Sequence, residues 1–511
     1  YKTLVEKHPA SPFHGQAEIP NLHIIQQRHN YTDAIKAYEV CRKLIPQNSQ
    51  PEAAYILANS YYNTKKPEQA MQTYRRVSKD YPKSPFSPLA DYEACFCLFL
   101  QDKFDEVIAS GKDFVKKYPS YSEIGNIHFL IGESLYERSR IKEAQAQYQI
   151  VVARHSKSLF FKDASFKLGE CYLKEGELAK ARKAFRDFAT VYPTSKWAVK
   201  ALARAADCGL ELARKAKPEF QQAQYEELAS DRKALYTALV ERDPKDVLAG
   251  ETLFLLGVTY LKLNRSDDMV KTFEKLVRTY PKNENCAEAY YWLASESEKA
   301  KQYDSAIGYF ERSLSLKPKG PYSHRAKRRL ADIYYKKDDK EKAASLIVEL
   351  LRSDPESNVA AQTHLWTGEF LLEKGNYDEA MEVYDLFLKK FKGNRLLERA
   401  HYGLGDCHFK KGQWQKAIDN FTKAIAFKGE WISLSRLHSG MAHLNLGQNK
   451  QARELLGEVA RSGRRELKAK AIRSLGNMEF DLAQAVTTPE EKNKQYKLAR
   501  RNYITVVIVH N

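Results

Sequence analysis

Two histidines and a cysteine near residue 400 are the side chains whose spacing comes closest to that of a metal site. His401 and His408 are seven residues apart, and Cys407 stands beside the second histidine. A tetrahedral zinc site needs four placed ligands or an open position held by three, and at least one further placed ligand is missing here. We therefore interpret these side chains as core or hydrogen-bonded groups, and we predict neither a metal nor a cofactor.

The short motifs that commonly carry catalysis are absent from the sequence. It contains no phosphate-cradling glycine loop, no HExxH and no GxSxG. Acidic residues stand mostly beside lysines, as is typical of solvated partners on helix surfaces. We expect no enzymatic activity in these residues. An accessory role in a larger enzyme or motor system, with catalysis in a flanking region, is an alternative.

Basic residues are concentrated in two short clusters. The denser one is HRAKRR, residues 324–329, and the second is RSGRR, residues 461–465. The basic members of the first cluster that could act together are Arg325, Lys327, Arg328 and Arg329. The whole chain has 83 Lys and Arg against 65 Asp and Glu, a net charge of +18, which favours acidic partners without indicating nucleic acid. We interpret the clusters as a solvated rim, with a membrane surface or nucleic acid as the alternative contact.

A repeat supplies the elements that position all of these side chains. A small residue is followed four residues later by a large apolar one, and most such pairs have another small residue twelve positions earlier. Examples of the pair are Ala181/Phe185, Ala306/Phe310 and Ala417/Phe421, and examples of the earlier small residue are Gly169 and Gly405. In the regular stretches, the step from one repeat to the next is 37 residues.

Each repeat predicts a helical hairpin. Both halves carry apolar residues at i, i+3, i+4 and i+7, the spacing of an amphipathic helix. Phrases such as KEGE, EKGN and KKGQ supply the turn, and a proline after the second half ends that helix. One hairpin cannot bury its own apolar face, so consecutive hairpins must stack on one another.

This pattern resembles the tetratricopeptide repeat over nearly the whole chain. The step is longer than the usual 34 residues of that family, and the extra residues lie in links of the type YPxS. That variant is similar to the repeats of bacterial cell-envelope proteins, such as the outer-membrane assembly lipoprotein and the Tol–Pal-associated repeat proteins. The resemblance implies an all-α fold, an α-solenoid (right-handed superhelix) of about twelve stacked hairpins. It also implies a periplasmic or envelope location, whereas seven cysteines without evident pairing favour the cytoplasm as the alternative.

The repeat also predicts how the chain is organised. We expect one continuous solenoid over 1–511, truncated at both ends, because residues 1–9 have the pattern of the tail of a second helix. We expect N-terminal repeats over 1–212, an extended irregular hairpin over 213–249, and C-terminal repeats over 250–511 with an insertion near 483–495.

Repeat starts fall near residues 51, 88, 125, 162, 250, 287, 324, 361 and 398. In the resembled family, the fifth, ninth and twelfth positions counted from each repeat start line a concave groove. Here those positions are mostly aromatic, acidic and aromatic: Tyr55, Tyr62, Tyr92, Phe129, Glu133, Tyr136, Phe166, Glu170, Tyr291, Asp332, Tyr335, Glu369, Tyr402, Asp406 and Phe409. The resemblance therefore implies a scaffold of an envelope assembly or transport complex, which binds partner proteins or peptide segments with basic and apolar residues. The alternative is that the aromatic residues pack between neighbouring first helices. Such a groove would repel phosphates, so nucleic acid is not expected as a partner there.

Overall fold

The computed structural model describes Lys7 and residues 14–510, and all the regular elements in residues 14–510 are α-helices. The predicted helix tail at residues 1–9 lies outside the described residues apart from Lys7. The 26 helices form thirteen consecutive pairs, where the sequence predicted about twelve hairpins. They are α1 His14–Gln27, α2 Tyr31–Cys41, α3 Gln50–Asn63, α4 Pro67–Asp80, α5 Phe86–Phe99, α6 Phe104–Lys117, α7 Ile124–Glu137, α8 Ile141–Arg154, α9 Phe161–Lys174, α10 Leu178–Val191, α11 Ala198–Lys215, α12 Pro218–Arg242, α13 Val247–Lys262, α14 Ser266–Thr279, α15 Cys286–Lys299, α16 Tyr303–Leu316, α17 Ser323–Lys336, α18 Lys340–Ser353, α19 Ala361–Glu373, α20 Tyr377–Lys390, α21 Leu397–Lys410, α22 Trp414–Ala426, α23 Ile432–Asn445, α24 Asn449–Ser462, α25 Arg465–Ala485 and α26 Pro489–His510.

The helices divide into two units, of which the N-terminal unit ends at Lys275 and the C-terminal unit begins at Leu276. Within each unit, consecutive helices pack against one another, and the first helices of neighbouring hairpins also come into contact. The predicted all-α solenoid of stacked hairpins is thus confirmed. The prediction of one continuous array from 1 to 511 stays a prediction.

The turn inside each regular hairpin depends on one residue in the left-handed backbone region. Gly176, Gly375 and Gly412 take this conformation in the KEGE, EKGN and KKGQ turns, with φ of +75°, +83° and +70°. The next N–H then bonds back to the first helix, as from Glu177 N to Tyr172 O at 2.9 Å. This bond satisfies a carbonyl at the end of the helix and reverses the chain within a few residues.

Small residues in the first helices make room for rings from the second helices. A Cβ added at Gly169 would lie 2.8 Å from a ring carbon of Phe185, and one at Gly405 would lie 2.8 Å from a ring carbon of Phe421. Because this distance is well below van der Waals contact, the ring occupies the space that a side chain would need. The spacing of small and aromatic residues in the sequence is therefore the spacing of these close helix contacts.

Several links between hairpins carry a proline and, two residues later, a serine or asparagine. α10 ends at Val191, two residues before Pro193, and Ser195 Oγ accepts a hydrogen bond of 3.2 Å from Trp197 N. This serine does not cap the helix that follows. Its hydroxyl closes the turn that precedes α11.

Helices longer than the repeat account for the irregular stretches. α11 and α12 contain 18 and 25 residues, and the chain predicted as an irregular hairpin over 213–249 lies mostly in α12. Arg182 of α10 donates to Asp231 of α12 at 2.6 Å, and both side chains are buried. In the C-terminal unit, α25 and α26 contain 21 and 22 residues, and the predicted insertion near 483–495 is the turn between them with the ends of both helices.

Candidate binding face of the first helices

Aromatic side chains at the fifth position of the first helices pack against an aromatic residue at or just before the start of the next first helix. The ring centroids are 4.5 Å apart in Phe129–Phe160, 4.7 Å in Tyr291–Tyr322, 4.9 Å in Tyr402–Trp431, 5.3 Å in Phe166–Trp197, 5.5 Å in Tyr92–Tyr121 and 5.6 Å in Tyr55–Phe86. We call the interface between two consecutive first helices a junction, whether or not it contains such a ring pair. Phe129, Phe166, Tyr291 and Tyr402 are buried in their junctions, so these rings stabilise the stack and offer a partner little surface.

Acidic side chains at the ninth position mostly hold a cation from the next hairpin. Glu133 lies 3.2 Å from Lys167 Nζ, and Glu170 lies 3.6 Å from Lys200 Nζ. In the C-terminal unit, Arg399 Nη2 donates to Glu369 at 2.7 Å, and Asp406 lies 3.2 Å from His438 Nδ1. In each unit, this row of contacts along the first helices, which we call the ladder, pairs carboxylates with Lys or Arg or, for Asp406, with a histidine. The ladder already uses much of the negative charge that was predicted to attract a basic partner.

Asp332 is the exception in this ladder. No ion pair or hydrogen bond reaches its carboxylate from any residue that the structure describes. Loss of water around the carboxyl raises the pKa of Asp332, whereas Arg328 and Lys336 act in the opposite direction. The side chain borders a cavity of about 230 Å³, the Asp332 pocket, which is lined by Ala331, Asp332, Tyr335, Ala343, Ile347, Gln362, Thr363 and Trp366.

The rings at the twelfth position differ in how far they are covered. The ammonium groups of Lys167 and Lys174 lie 4.6 Å and 4.0 Å from the centroid of Tyr136, and Phe409 stacks on His438 at 5.5 Å. Tyr62 and Tyr335, in contrast, are 36% and 47% exposed. Of the predicted groove aromatics, these two offer a partner the most ring surface.

Glu93 is an acidic residue of this face that the sequence analysis did not single out. It is half-buried in α5 and stands at the sixth position of its repeat. In two other repeats, the sixth position holds a cation, Lys167 or Arg329. Burial raises the pKa of Glu93, and across the described part of the chain no cation or hydrogen-bond donor contacts its carboxylate. Burial, followed by the charge of Glu93, raises the pKa of Tyr62, and the two residues stand on consecutive first helices, α3 and α5, that are in contact. Aligning the sixth positions of the repeats would have revealed this reversal of charge.

Within the first basic cluster, only part of the predicted rim is solvent-exposed. Lys327 is buried and forms an ion pair with Glu349. Arg329 Nε donates to Glu298 at 2.7 Å. Arg325 and Arg328 are exposed, and Arg328 donates to the carbonyl of Asn358 at 3.3 Å.

The His and Cys side chains near residue 400 are engaged separately. His401 Nδ1 lies 3.4 Å from Asn420 Oδ1, and His408 Nδ1 lies 2.7 Å from Gln413 Oε1. Cys407 is buried, and burial raises the pKa of its thiol to about 12. In the described residues, no three His, Cys, Asp or Glu side chains are arranged to hold a metal ion. No helix in the same part of the chain combines the length and apolar character needed to cross a membrane.

Comparison with known families accounts for most of the chain. A model described as a tetratricopeptide repeat-like domain matches residues 251–404, and a model of the tetratricopeptide repeat matches residues 398–428. A family described as an outer membrane lipoprotein matches residues 47–242. The chain thus contains tetratricopeptide repeats over residues 251–428. Its N-terminal repeats are similar to those of an outer membrane lipoprotein family.

Several solved structures are also similar. PilF of Pseudomonas aeruginosa is 18% identical, with 46% of this chain and 93% of that chain covered and a TM-score of 0.27. A tetratricopeptide repeat protein from Parabacteroides merdae is 16% identical, with 49% and 98% covered and a TM-score of 0.25. Yeast Tom70 is 14% identical, with 90% and 97% covered and a TM-score of 0.22. No sequence among the curated proteins matches this chain significantly.

Proposed function

We propose that this chain is a scaffold of a cell-envelope assembly, and that it holds segments of partner proteins against the face of its first helices. The observation that carries the proposal is the pair formed by Tyr62 and Glu93 in the N-terminal unit. The ring of Tyr62 is partly exposed, and the neighbouring carboxylate of Glu93 has no cation among the described residues. The similarity of residues 47–242 to an outer membrane lipoprotein family supports the envelope location.

The chemistry of this pair favours a segment that carries a basic residue beside an apolar one. A tyrosine ring gives a large apolar contact with little loss of side-chain entropy. A half-buried carboxylate without a partner is costly to keep charged, and a Lys or Arg from another protein lowers this cost. The six aromatic junctions keep the backbone of the first helices in place, so little ordering is needed on binding.

Selection of random displayed peptides against the whole chain tests the proposal. We expect the enriched peptides to combine Lys or Arg with an apolar residue. Replacing Tyr62→Ala together with Glu93→Gln should lower their affinity about tenfold or more, because an aromatic anchor and a charge contact are lost together. The affinity is measured by fluorescence anisotropy on the purified full chain.

A matched control removes the same chemistry from a second helix. Glu219 and Phe220 are both exposed in α12, so Glu219→Gln with Phe220→Ala should leave peptide affinity unchanged. Equal losses in the two double variants, in proteins with unchanged circular dichroism, would contradict binding at the first-helix face. Cell fractionation of the native full-length protein tests the location, and recovery in the cytosol alone would contradict the envelope assignment.

A further inference from the structure

The Asp332 pocket lies at the junction between α17 and α19 in the C-terminal unit. At this junction, the acidic residue at the ninth position has no paired cation in the part of the chain that the structure describes. The histidine that contacts Asp406 stands 32 residues after it, but the residue at that distance from Asp332, His364, is buried against Phe387 and Phe391, and burial lowers its pKa to about 4. Where the acid is paired with Lys or Arg, that cation stands 30 or 34 residues after it, as in Glu369–Arg399 and Glu133–Lys167. The residues at those two distances from Asp332 are Gln362 and Trp366, and neither carries a charge. Both line the pocket. The chain therefore places a carboxylate here and leaves out the internal group that pairs with it elsewhere.

The aromatic pair that fills six other junctions is also missing at this one. Its two positions are held by Arg328 in α17 and Val359 in the link before α19. Arg328 is exposed and donates to the carbonyl of Asn358 at 3.3 Å. Val359 is buried but is much smaller than Tyr322 or Trp431 in the equivalent places. The junction between α17 and α19 therefore lacks the ring contact that is present in the six others.

The neighbouring cations of α17 contact residues other than Asp332. Arg329 is held by Glu298 at 2.7 Å, with a further hydrogen bond to Ser295. Lys336 Nζ lies 4.0 Å from the second oxygen of Glu298. Arg328 and Lys336 lower the pKa of Asp332 at longer range without forming an ion pair with it. The carboxylate thus stays open to a cation that enters from solvent.

The walls of the pocket suit a planar cation on an apolar stem. Trp366 and Tyr335 meet edge to face with ring centroids 4.8 Å apart, and Ile347 and Ala343 form an apolar floor. A guanidinium stacks on aromatic faces, pairs with a carboxylate through two parallel N–H groups and sheds water more readily than an ammonium. Its methylene stem can lie along the apolar floor.

From this arrangement we infer that the Asp332 pocket receives an arginine side chain from a partner protein. The guanidinium takes the place of the missing ladder cation beside Asp332 and lies against Trp366. The inference rests on the proposed scaffold function and names the chemistry that one of its sites recognises. It concerns the C-terminal unit alone and is separate from the Tyr62–Glu93 pair.

Fluorine NMR of the full chain labelled with 5-fluorotryptophan tests the pocket directly. The chain has five tryptophans, and Trp366→Phe assigns the resonance of interest. N-acetyl-arginine amide should shift that resonance to saturation, and N-acetyl-citrulline amide, which has the same shape without charge, should not. Asp332→Asn should weaken arginine binding about tenfold, because a hydrogen-bonded charge contact is lost. Asp338→Asn, an equal charge change at an exposed side chain of the next turn, should not weaken it.

A second variant places a cation of the chain itself beside Asp332, so that an added arginine can no longer bind there. Gln362→Arg places an internal cation at the spacing of Arg399, so it should abolish the shift by N-acetyl-arginine amide while thermal unfolding shows a folded protein. The inference is overturned if arginine leaves Trp366 unshifted, if citrulline binds equally well, if Asp332→Asn and Asp338→Asn behave alike, or if Gln362→Arg binds as the natural chain does. Equal binding of N-acetyl-lysine amide would overturn the choice of arginine. Peptides that still require Tyr62 and Glu93 would then show that the scaffold function stands without this pocket.

Discussion

Two adjacent junctions of the C-terminal unit are built from the same repeat and have opposite contents. Between α15 and α17, Tyr291 packs on Tyr322, and Arg329 holds Glu298. Between α17 and α19, the corresponding rings are replaced, and Asp332 borders a cavity. In the first junction, the aromatic and charged groups contact one another and stabilise the fold. The second lacks the ring pair and leaves Asp332 and Tyr335 exposed, so under the inference above a repeat gains a binding site by losing internal contacts.

We call the junction between α15 and α17 closed and the junction between α17 and α19 open. The largest loss in the free energy of unfolding should come from removing the buried ring of the closed junction. Tyr291→Ala removes a ring that is 5% exposed, and truncation of a buried aromatic side chain costs about 3–5 kcal/mol. Tyr335→Ala at the open junction should cost less than about 1 kcal/mol, since that ring is half exposed and packs on one side only. Urea unfolding followed by circular dichroism measures both, and equal losses would contradict the contrast between the junctions.

A smaller effect is expected for the cation of the closed junction. Arg329→Met leaves the poorly exposed carboxylate of Glu298 without its main donor, at a cost of about 1–3 kcal/mol. Arg328→Met removes the neighbouring exposed guanidinium and should change the free energy of unfolding by less than about 0.5 kcal/mol. The same urea measurement compares them. A larger loss for Arg328 than for Arg329 would show that the assignment of the two guanidiniums is wrong.

Adding the missing cation should make the open junction resemble the closed one. Gln362→Arg is expected to stabilise the chain by up to about 1 kcal/mol, the usual range for a surface ion pair. The gain should disappear in the double variant with Asp332→Asn, because the new guanidinium then has no carboxylate to pair with. A gain that survives in the double variant would mean that the arginine acts through some other contact.

The smallest effect is a change in the pH dependence of stability. The folded chain raises the pKa of Asp332 above its unfolded value, so the folded state binds the proton more tightly. This carboxyl therefore favours folding below its unfolded pKa, and that contribution is lost as pH rises through the folded pKa. Asp332→Asn should remove this decline, whereas Asp338→Asn should keep it. Thermal unfolding between pH 3 and pH 7, at about 0.1 M salt to screen distant charges, compares the two variants.

The sequence predicted the hairpins because the signals that form them are local. Gly169 and Phe185 are close in the chain and meet directly, and Gly176 marks the turn between their helices. The contents of the junctions were harder to predict, because they join residues about 30 positions apart. The partners Phe160 and Trp431 lie in links that were interpreted only as helix stops. The pairing of Glu133 with Lys167 likewise needs the packing of neighbouring first helices, which no single helix pattern supplies.

Burial of the seven cysteines gives each region of the chain a chemical reporter. All seven thiols are buried, and burial raises the pKa of every one, to about 12 for Cys41, Cys95, Cys97, Cys171 and Cys407. Because the thiolate is the reactive form, we expect the folded chain to resist alkylation and oxidation even in an oxidising compartment. A thiol should become reactive only when its own hairpin unfolds locally. The alkylation rate of Cys97 would therefore measure local unfolding in the N-terminal unit, and that of Cys407 would measure it in the C-terminal unit.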